Sequence, residues 1–258
     1  MASATFTLTI AAAPASGWPT AANTGVPAGT ALTARNGAQT FSTAGQVISG
    51  LNITGSVIIS ANNVTLKNCK ITSGDYNTIK VAETVTGTVI QNCTIDGVGG
   101  GGNGILGCGK FIGNNIFNVE NGIFIVGKDA TLIQDSYIHG LKGTASSHYD
   151  NIQIEGSVSN VVIRHNTIIN DYGQTGALMI DNNWGPVSNI TVDNNILVGG
   201  GYTIYVDAHF NSNPITGVVI TNNHIGPGGY GATNFNMTSP VYTGNVNDGR
   251  ALAASIGA

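Results

Sequence analysis

Three acidic residues end three similar short segments, and their side chains are the ones best suited to chemistry. Glu155 ends "NIQIE", Asp181 ends "ALMID" and Asp207 ends "TIYVD". Only 9% of the residues are charged, against about 25% in an average soluble protein. If the segments are neighbouring strands, successive carboxylates lie about 4.8 Å apart and the three span roughly 10 Å. Like charges at such distances raise the pKa of at least one acid unless a cation lies among them.

Such a row of carboxylates suits several roles. Two carboxylates one strand apart approach the roughly 5 Å separation of a retaining glycosidase, and two strands apart the roughly 6.5–9.5 Å of an inverting one. Alternatively Glu155, Asp181 and Asp207 hold Ca²⁺, the one cofactor that these residues suggest. Calcium would allow an acidic sugar to bind beside the carboxylates and would acidify the C5 proton of that sugar. A Lys, His or Tyr would then remove the proton as the base. The remaining interpretation is a solvated acidic stripe that prevents association through a flat outer sheet.

Further candidates for acid–base chemistry and sugar binding surround the three acids. The side chains that could supply an acid or a base are Lys142, His148, Tyr149, Asp150 and His209. Two residues before each acid, in the same three segments, Gln153, Met179 and Tyr205 form a second outward row. Tyr205 and Trp184 offer flat faces for a sugar ring. The alternative is that these are loop and scaffold residues, with Trp184 serving as a loop anchor.

A repeat of short strands positions these residues. The aligned copies are "VTLKNCKI", "TVIQNCTI", "KFIGNNIF", "TLIQDSYI", "VVIRHNTI", "ITVDNNIL" and "VVITNNHI", with "PVYTGNVN" as a weak last copy. They recur at intervals of 21 to 30 residues, and a second strand such as "TIKVA" or "NIQIE" precedes the middle copies. Apolar and variable residues alternate, so each strand has one buried and one open face. Three short strands per turn predict an all-β, single-stranded parallel β-helix of about eight coils.

The uneven length of the repeat locates a groove. Coils of 21 to 24 residues leave minimal turns, whereas coils of 28 to 30 residues carry extra loop. The extra residues lie before the floor strand, at 139–151 and 170–176, and after it, at 182–189 and 208–217. Loops on both sides of one strand column make that sheet the floor of a groove, and loops on a rigid scaffold usually carry binding. We therefore expect the three acids to face a groove.

One turn position of the repeat forms a column of small polar residues. Its predicted members are Cys69, Cys93, Asn115, Ser136, Asn166, Asn195, Asn223 and Asn245. Asn tolerates left-handed backbone angles, and stacked amides can hydrogen-bond along the column. Cys69 and Cys93 would be neighbours about 4.8 Å apart, which is close enough for a disulfide. We favour the alternative, a stack of two buried thiols.

Charge and hydropathy argue against two classes of partner. A net charge of −4 with nine Lys and Arg residues lacks the basic stripe of a nucleic-acid surface. The sequence has no run of about 18 apolar residues that would span a membrane. The start, "MASATFTLTIAAAPASG", has no basic region, so we interpret it as a tail or first strand rather than a signal peptide.

The coil pattern resembles the right-handed parallel β-helix of the pectate-lyase-like superfamily over about residues 45–247. The stretch "GWPTAANTGVPAGTALT" is similar to the segment that leads into the helix in bacterial and phage β-helix proteins. We find neither the Asn-Thr-Asp and downstream Asp-Asp of polygalacturonases nor the Asp-Pro-His of mannuronan epimerases. The resemblance therefore implies polysaccharide chemistry or polysaccharide binding without identifying an enzyme family.

Two functions of different class follow. The first is a lyase or glycoside hydrolase that cleaves a polysaccharide over the three acids. The second is a non-catalytic adhesion module or part of a phage tail or decoration spike, for which the resemblance implies a homotrimer. In either case we expect an extracellular or virion-associated protein. The predicted organisation is a lead or cap segment at 1–42, the parallel β-helix at 43–247 and a tail or cap at 248–258.

Overall fold

The computed structural model describes residues 17–258, so the predicted tail or first strand in residues 1–16 lies outside the described part. The elements within that range, in chain order, are β1 (Thr33–Asn36), β2 (Gln39–Phe41), β3 (Val47–Ser49), β4 (Leu51–Thr54), β5 (Val57–Ile59), β6 (Thr65–Lys67), β7 (Lys70–Thr72), β8 (Asn77–Val81), β9 (Val89–Gln91), β10 (Thr94–Asp96), β11 (Asn103–Leu106), β12 (Lys110–Ile112), β13 (Asn115–Phe117), β14 (Asn121–Phe124), β15 (Thr131–Gln134), β16 (Tyr137–Ile138), β17 (Ile152–Ile154), β18 (Val158–Arg164), β19 (Thr167–Asn170), β20 (Leu178–Asp181), β21 (Val187–Asp193), β22 (Ile196–Gly199), β23 (Tyr202–Asp207), β24 (Ile215–Thr221), β25 (His224–Gly226), β26 (Gly231–Asn236), β27 (Val241–Thr243) and α1 (Gly249–Ser255).

Every third strand joins the same sheet. Sheet 1 contains every third strand from β1 to β25, sheet 2 every third strand from β2 to β26, and sheet 3 every third strand from β3 to β27. Neighbouring strands in each sheet pair in parallel. The chain thus winds through the three sheets in turn, which confirms the predicted all-β parallel β-helix. Each sheet contains nine strands, slightly more than the predicted eight coils.

The additional strands belong to a first coil that lies ahead of the boundary predicted at residue 42. β1 pairs with β4, and β2 pairs with β5. An end coil has a neighbour on one side only, and all four residues of β1 are exposed. Its sequence therefore lacks the apolar alternation that marks the other coils.

Apolar side chains stack in a continuous column on the inner side of each sheet. The column of sheet 2 contains the fully buried residues Ile79, Ile105, Ile123, Ile152, Leu178 and Ile204. Burying such a side chain stabilises the fold by roughly 1.5–3 kcal/mol. A slip of one residue would turn the whole column to solvent. This column therefore determines which residues of each floor strand point outward.

The predicted polar column lies at the turn from sheet 3 to sheet 1 and is hydrogen-bonded along its length. The N–H of Ser136 donates to Oδ1 of Asn166, and the N–H of Asn166 donates to Oδ1 of Asn195. Asn195 and Asn223 repeat the pattern on the next coil. Each buried amide thus satisfies backbone groups that the turn leaves unpaired.

One member of the polar column differs from the prediction. Asn114, and not Asn115, accepts the N–H of Cys93. The reason is that Gly113 takes the left-handed turn position on this coil, with a φ of 66°, and shifts the alignment by one residue. Cys69 and Cys93 are buried free cysteines, in agreement with the favoured thiol stack.

The outer face of sheet 1 is covered by both ends of the described chain. Trp18 stacks on His165 with ring centroids 5.0 Å apart, and the N–H of Gly25 donates to the carbonyl of Gly113. Ala253 of α1 packs against the strands of the same sheet. Residues 17–32 and α1 therefore lie along the side of the β-helix that sheet 1 forms. No helix among residues 17–258 is long and apolar enough to cross a membrane.

Candidate functional site

The outer face of sheet 2 carries the three acids at the ends of its strands. β20 and β23 pair so that Asp181 lies directly opposite Asp207. β17 and β20 pair Ile154 with Ile180, which puts Glu155, the next residue, beside Asp181. The three acids therefore follow one another on neighbouring strands, about 4.8 Å apart along the backbone. The second row is also in register and consists of Gln153, Met179 and Tyr205.

Asp181 is the central acid of the row and is nearly closed off from solvent. Only 4% of the residue is exposed, and its Oδ1 accepts the N–H of Asn183 at 2.9 Å. Burial, assisted by the charges of Glu155 and Asp207, raises the pKa of Asp181 to about 6. The Asn183 N–H and the charge of His209 act in the opposite direction. Asp181 can therefore gain or lose a proton close to neutral pH, as a general acid or base must.

Both carboxylate oxygens of Glu155 accept hydrogen bonds from predicted sugar-binding residues. Nε2 of Gln153 donates to Oε1 at 2.6 Å, and Nε1 of Trp184 donates to Oε2 at 2.8 Å. Trp184 is nevertheless 69% exposed. Its ring is therefore held beside the acids with a face open to solvent, which suits stacking on a sugar ring.

Asp207 is paired with His209 on the loop that follows β23. Nδ1 of His209 lies 2.6 Å from Oδ1 of Asp207, and the His209 N–H donates to the same oxygen at 3.0 Å. The ring of Phe210 lies against that of His209 with centroids 4.0 Å apart, and Phe210 is exposed. Trp184, His209 and Phe210 are thus exposed on the loops that follow β20 and β23. Phe210 was not among the predicted site residues.

Asp150 lies just before β17, on the other edge of the floor. The residue is 2% exposed, and its Oδ1 accepts the N–H of Gly176 at 3.0 Å. Burial raises the pKa of Asp150 to about 8, against hydrogen bonds from Gly176 and Thr175. The charges of Glu155 and Asp181 raise it further. Asp150 is therefore protonated at neutral pH. Its pKa depends on the charges of Glu155 and Asp181, two of the three acids (Glu155, Asp181 and Asp207) that we call the acid row.

A ladder of side-chain amides leads along sheet 2 to Asp150. Asn103 donates to Asn77 at 2.8 Å, and Asn121 donates to Asn103 at 3.1 Å. Oδ1 of Asn121 then accepts the N–H of Asp150 at 3.3 Å. The sequence contains a signal for this ladder that our prediction missed. An Asn stands two residues before the inward Ile in "NTI" and twice in "NGI", and Asp150 takes its place in "DNI".

Aromatic rings line the edge of the floor near Asp150. The hydroxyl oxygen of Tyr205 accepts the N–H of Tyr202 at 3.1 Å. A Cβ at Gly176 would lie 3.1 Å from the Tyr205 ring, so this glycine leaves room for the ring. Tyr202 and Tyr230 have ring centroids 5.8 Å apart, and Tyr230 is 70% exposed. Burial raises the pKa of Tyr205, and the charge of Asp150 contributes. Tyr202 and Tyr230 were not predicted.

Three predicted acid–base residues make their contacts away from the three acids. The ring of Tyr149 is buried against that of Tyr172, with centroids 3.5 Å apart, and its hydroxyl donates to the Thr144 carbonyl. Lys142 lies alongside Gly99 on an earlier coil. His148 is exposed, and its backbone N–H donates to Glu120. Of the five predicted acid–base candidates, the structure brings only Asp150 and His209 to the acid row.

The donor set fits a bound calcium ion poorly. Both oxygens of Glu155 and one of Asp207 already accept N–H hydrogen bonds. Within residues 17–258 no group of three or more His, Cys, Asp and Glu side chains is arranged to hold a metal ion.

A concavity lies on the outer face of sheet 3, on a different side of the β-helix from the three acids. Its lining includes Asn63, Lys110, Asp129 and Asn160 but no aromatic side chain. Asp129 already accepts the N–H of Gly87 at 2.7 Å. The clustered acids, shifted pKa values and exposed rings instead locate the candidate site on sheet 2.

Comparison with known proteins identifies one family. The family model described as "Right handed beta helix region" matches residues 49–225. Searches of the curated proteins and of the solved structures found no match. The matched residues include Glu155, Asp181 and Asp207 and contain most of the coils described above.

Proposed function

The chain belongs to the right-handed β-helix family, and we propose that it binds a polysaccharide on sheet 2 and cleaves it by acid–base hydrolysis. The observation that carries this proposal is the position of Asp181. It is buried between Glu155 and Asp207, and its pKa is raised to about 6. It lies on the outer face of sheet 2, and the loops beside this sheet carry exposed Trp184 and Tyr230.

Asp181 is the general acid of the proposed reaction, and Glu155 is its partner. Asp181 donates its proton to the glycosidic oxygen as the bond to the anomeric carbon breaks. Glu155, held by Gln153 and Trp184, bonds to the anomeric carbon from the other face. Water then releases the sugar, with Asp181 taking back a proton. Carboxylates one strand apart approach the roughly 5 Å separation of a retaining enzyme, so the product should keep the anomeric configuration of the substrate.

The finer assignment to the pectate-lyase-like superfamily is part of the same proposal. It is supported by the coil pattern over about residues 45–247 and by the Gly17–Thr33 stretch. An extracellular or virion-associated location follows, because structural polysaccharides are found at cell surfaces and outside cells.

Two observations favour the second candidate, binding without cleavage, as in an adhesion module or a trimeric virion spike. Asp181 is only 4% exposed, and both oxygens of Glu155 are occupied by hydrogen bonds. If neither acid can reach a bound sugar, the groove binds its polymer through the aromatic rings alone.

Incubation with a panel of neutral and acidic polysaccharides tests the proposal. Reducing ends and the absorbance of unsaturated uronates are followed together, with calcium or with a chelator. New reducing ends that disappear in Asp181→Asn but persist in Glu83→Gln, an exposed acid on another turn, are expected. Unsaturated products would instead indicate a lyase. Binding without cleavage would indicate the second candidate.

A further inference from the structure

We propose that the groove accepts an uncharged polysaccharide and excludes polymers of uronic acids, an inference that rests on the proposed function. The inference specifies which polysaccharides bind, and it holds whether or not the bound polymer is cleaved. The distribution of charge around the groove carries the argument.

The coils that form the groove are acidic and nearly free of Lys and Arg. Between residues 143 and 249 the chain has one residue of these two types, Arg164. The acidic residues of the same range are Asp150, Glu155, Asp171, Asp181, Asp193, Asp207 and Asp248. Three of these acids, Glu155, Asp181 and Asp207, lie at the ends of the floor strands, whereas Asp150 is buried and protonated at neutral pH. A carboxylate on every sugar of a bound chain would meet the like charges of the three acids at short range.

The cationic side chains on these coils and just before them contact other groups. Arg164 donates from Nε and Nη2 to Gln134 on sheet 3, at 2.9 and 2.7 Å. Lys142 lies alongside Gly99, and Nδ1 of His209 lies 2.6 Å from a carboxylate oxygen of Asp207. Recognition of an acidic sugar normally uses Arg or Lys paired with its carboxylate. Among the described residues, the coils from 143 to 249 offer no such pairing. Exposed Lys80 belongs to the same outward column of sheet 2 but lies three strands before Gln153, outside these coils.

Between Leu106 and Tyr205 the floor presents apolar and aromatic side chains in place of cations. The outward column of sheet 2 continues in register from Gln153 to Phe124 and Leu106 on earlier coils and to Met179 and Tyr205 on later ones. All of these side chains are partly exposed. Trp184, Phe210 and Tyr230 are exposed on the loops next to these strands. Flat apolar faces of this kind bind the C–H face of an uncharged sugar ring, and the column follows the axis along which a long polymer would lie.

The experiment compares polymers that differ only in charge. Polygalacturonate and alginate are converted to neutral polymers by chemical reduction of their carboxyl groups, which keeps the linkages. Affinity electrophoresis through each polymer measures binding, and release of reducing ends measures cleavage. The reduced polymers should bind at least roughly tenfold more tightly than their parents at low salt. Added salt should narrow that difference by screening the repulsion.

A variant that adds a cation to the floor provides the matched test. Met179→Lys places an ammonium group between Gln153 and Tyr205 and should strengthen binding of the unreduced polymers. Val47→Lys adds the same charge at an exposed position on sheet 3 and should leave the preference unchanged.

The outcomes separate the two proposals. Tighter binding of the unreduced polymers, with or without calcium, would overturn the inference while leaving polysaccharide binding intact. Preferential binding of the reduced polymers without cleavage would support the inference and contradict the proposed hydrolysis. Failure of every polymer to bind would overturn both.

Discussion

Asp181 and Asp207 lie directly opposite each other on neighbouring parallel strands, and only Asp207 has a histidine partner. The Asp207 carboxylate faces Nδ1 of His209 at 2.6 Å, whereas Asp181 accepts a single backbone N–H. The charge of Asp207 helps to raise the pKa of Asp181, and that of His209 helps to lower it. Two aspartates at equivalent positions on neighbouring strands thus have different neighbours, which suits them to different protonation states.

The rate of polysaccharide cleavage should depend on the protonation of Asp181. As the general acid it must hold its proton, so kcat/KM should fall as pH rises above about 6, the pKa of Asp181. Asp207→Asn removes a negative neighbour, which lowers that pKa and moves the fall to lower pH. His209→Ala removes a positive neighbour and moves it to higher pH. Rates measured across pH check both directions, and shifts of the same sign in both variants would contradict this account.

The stability of the fold should fall as pH rises, because of Asp150. Its pKa is raised from 3.8 to about 8 in the folded chain, so the folded state binds the proton more tightly than the unfolded state. The resulting stabilisation is fully present below about pH 4 and is lost as pH rises to about 8. At about 1.4 kcal/mol per pKa unit, the loss amounts to several kcal/mol at most.

Urea unfolding at pH 5, 7 and 9 measures this loss. Asp150→Asn keeps an oxygen that can accept the Gly176 N–H but removes the charge, so its unfolding free energy should vary less with pH. Asp75→Asn, at an exposed acid, should retain the slope of the unmodified protein. Equal slopes in all three proteins would show that Asp150 does not titrate as described.

Removal of the Trp184 ring should weaken polysaccharide binding with little effect on stability. The side chain is mostly exposed, so Trp184→Ala leaves no cavity, but it removes a stacking face and the hydrogen bond to Glu155. Loss of one aromatic contact, about 0.5–1.5 kcal/mol, corresponds to roughly two- to twelvefold weaker binding. Trp184→Phe restores a ring without the N–H and should recover part of the affinity. Calorimetric titration with a bound polymer measures both, and unchanged affinity in Trp184→Ala would remove this ring from the binding surface.

Gly176 should not tolerate a side chain. An added Cβ would lie 2.9 Å from the Leu178 carbonyl oxygen and 3.1 Å from the Tyr205 ring, so Gly176→Ala should displace that ring and cost about 1–3 kcal/mol. Gly173→Ala is the matched control, because nothing lies within 4 Å of a Cβ there. Thermal unfolding of the two variants compares them, and an equally stable Gly176→Ala would mean that Tyr205 is free to move.

The apolar repeat was sufficient to predict the register of the floor strands. Inward residues such as Ile154 and Ile180 alternate with outward ones, and a coil can bury them in only one register. The neighbouring positions of Glu155, Asp181 and Asp207 follow from that constraint. Where glycine replaced asparagine at a turn, as at Gly113, the pattern was ambiguous and the alignment slipped by one residue.

The acid–base role of single residues could not be predicted in the same way. Tyr149 and Asp150 are adjacent in a polar loop, yet the ring of Tyr149 packs in the core and the carboxyl of Asp150 is buried against the Gly176 N–H. Loop residues have no repeat to constrain them, so their burial depends on which other loops pack against them. Contacts such as that between Asp150 and Gly176 join residues 26 positions apart.

The sequence by itself determined the parallel β-helix and the row of acids, because both follow from a periodic pattern of buried side chains. Only the tertiary structure decided which acid carries a proton, which rings border the groove and which sheet the chain ends cover. Burial, neighbouring charge and loop packing set those properties, and they arise between residues brought together from different coils.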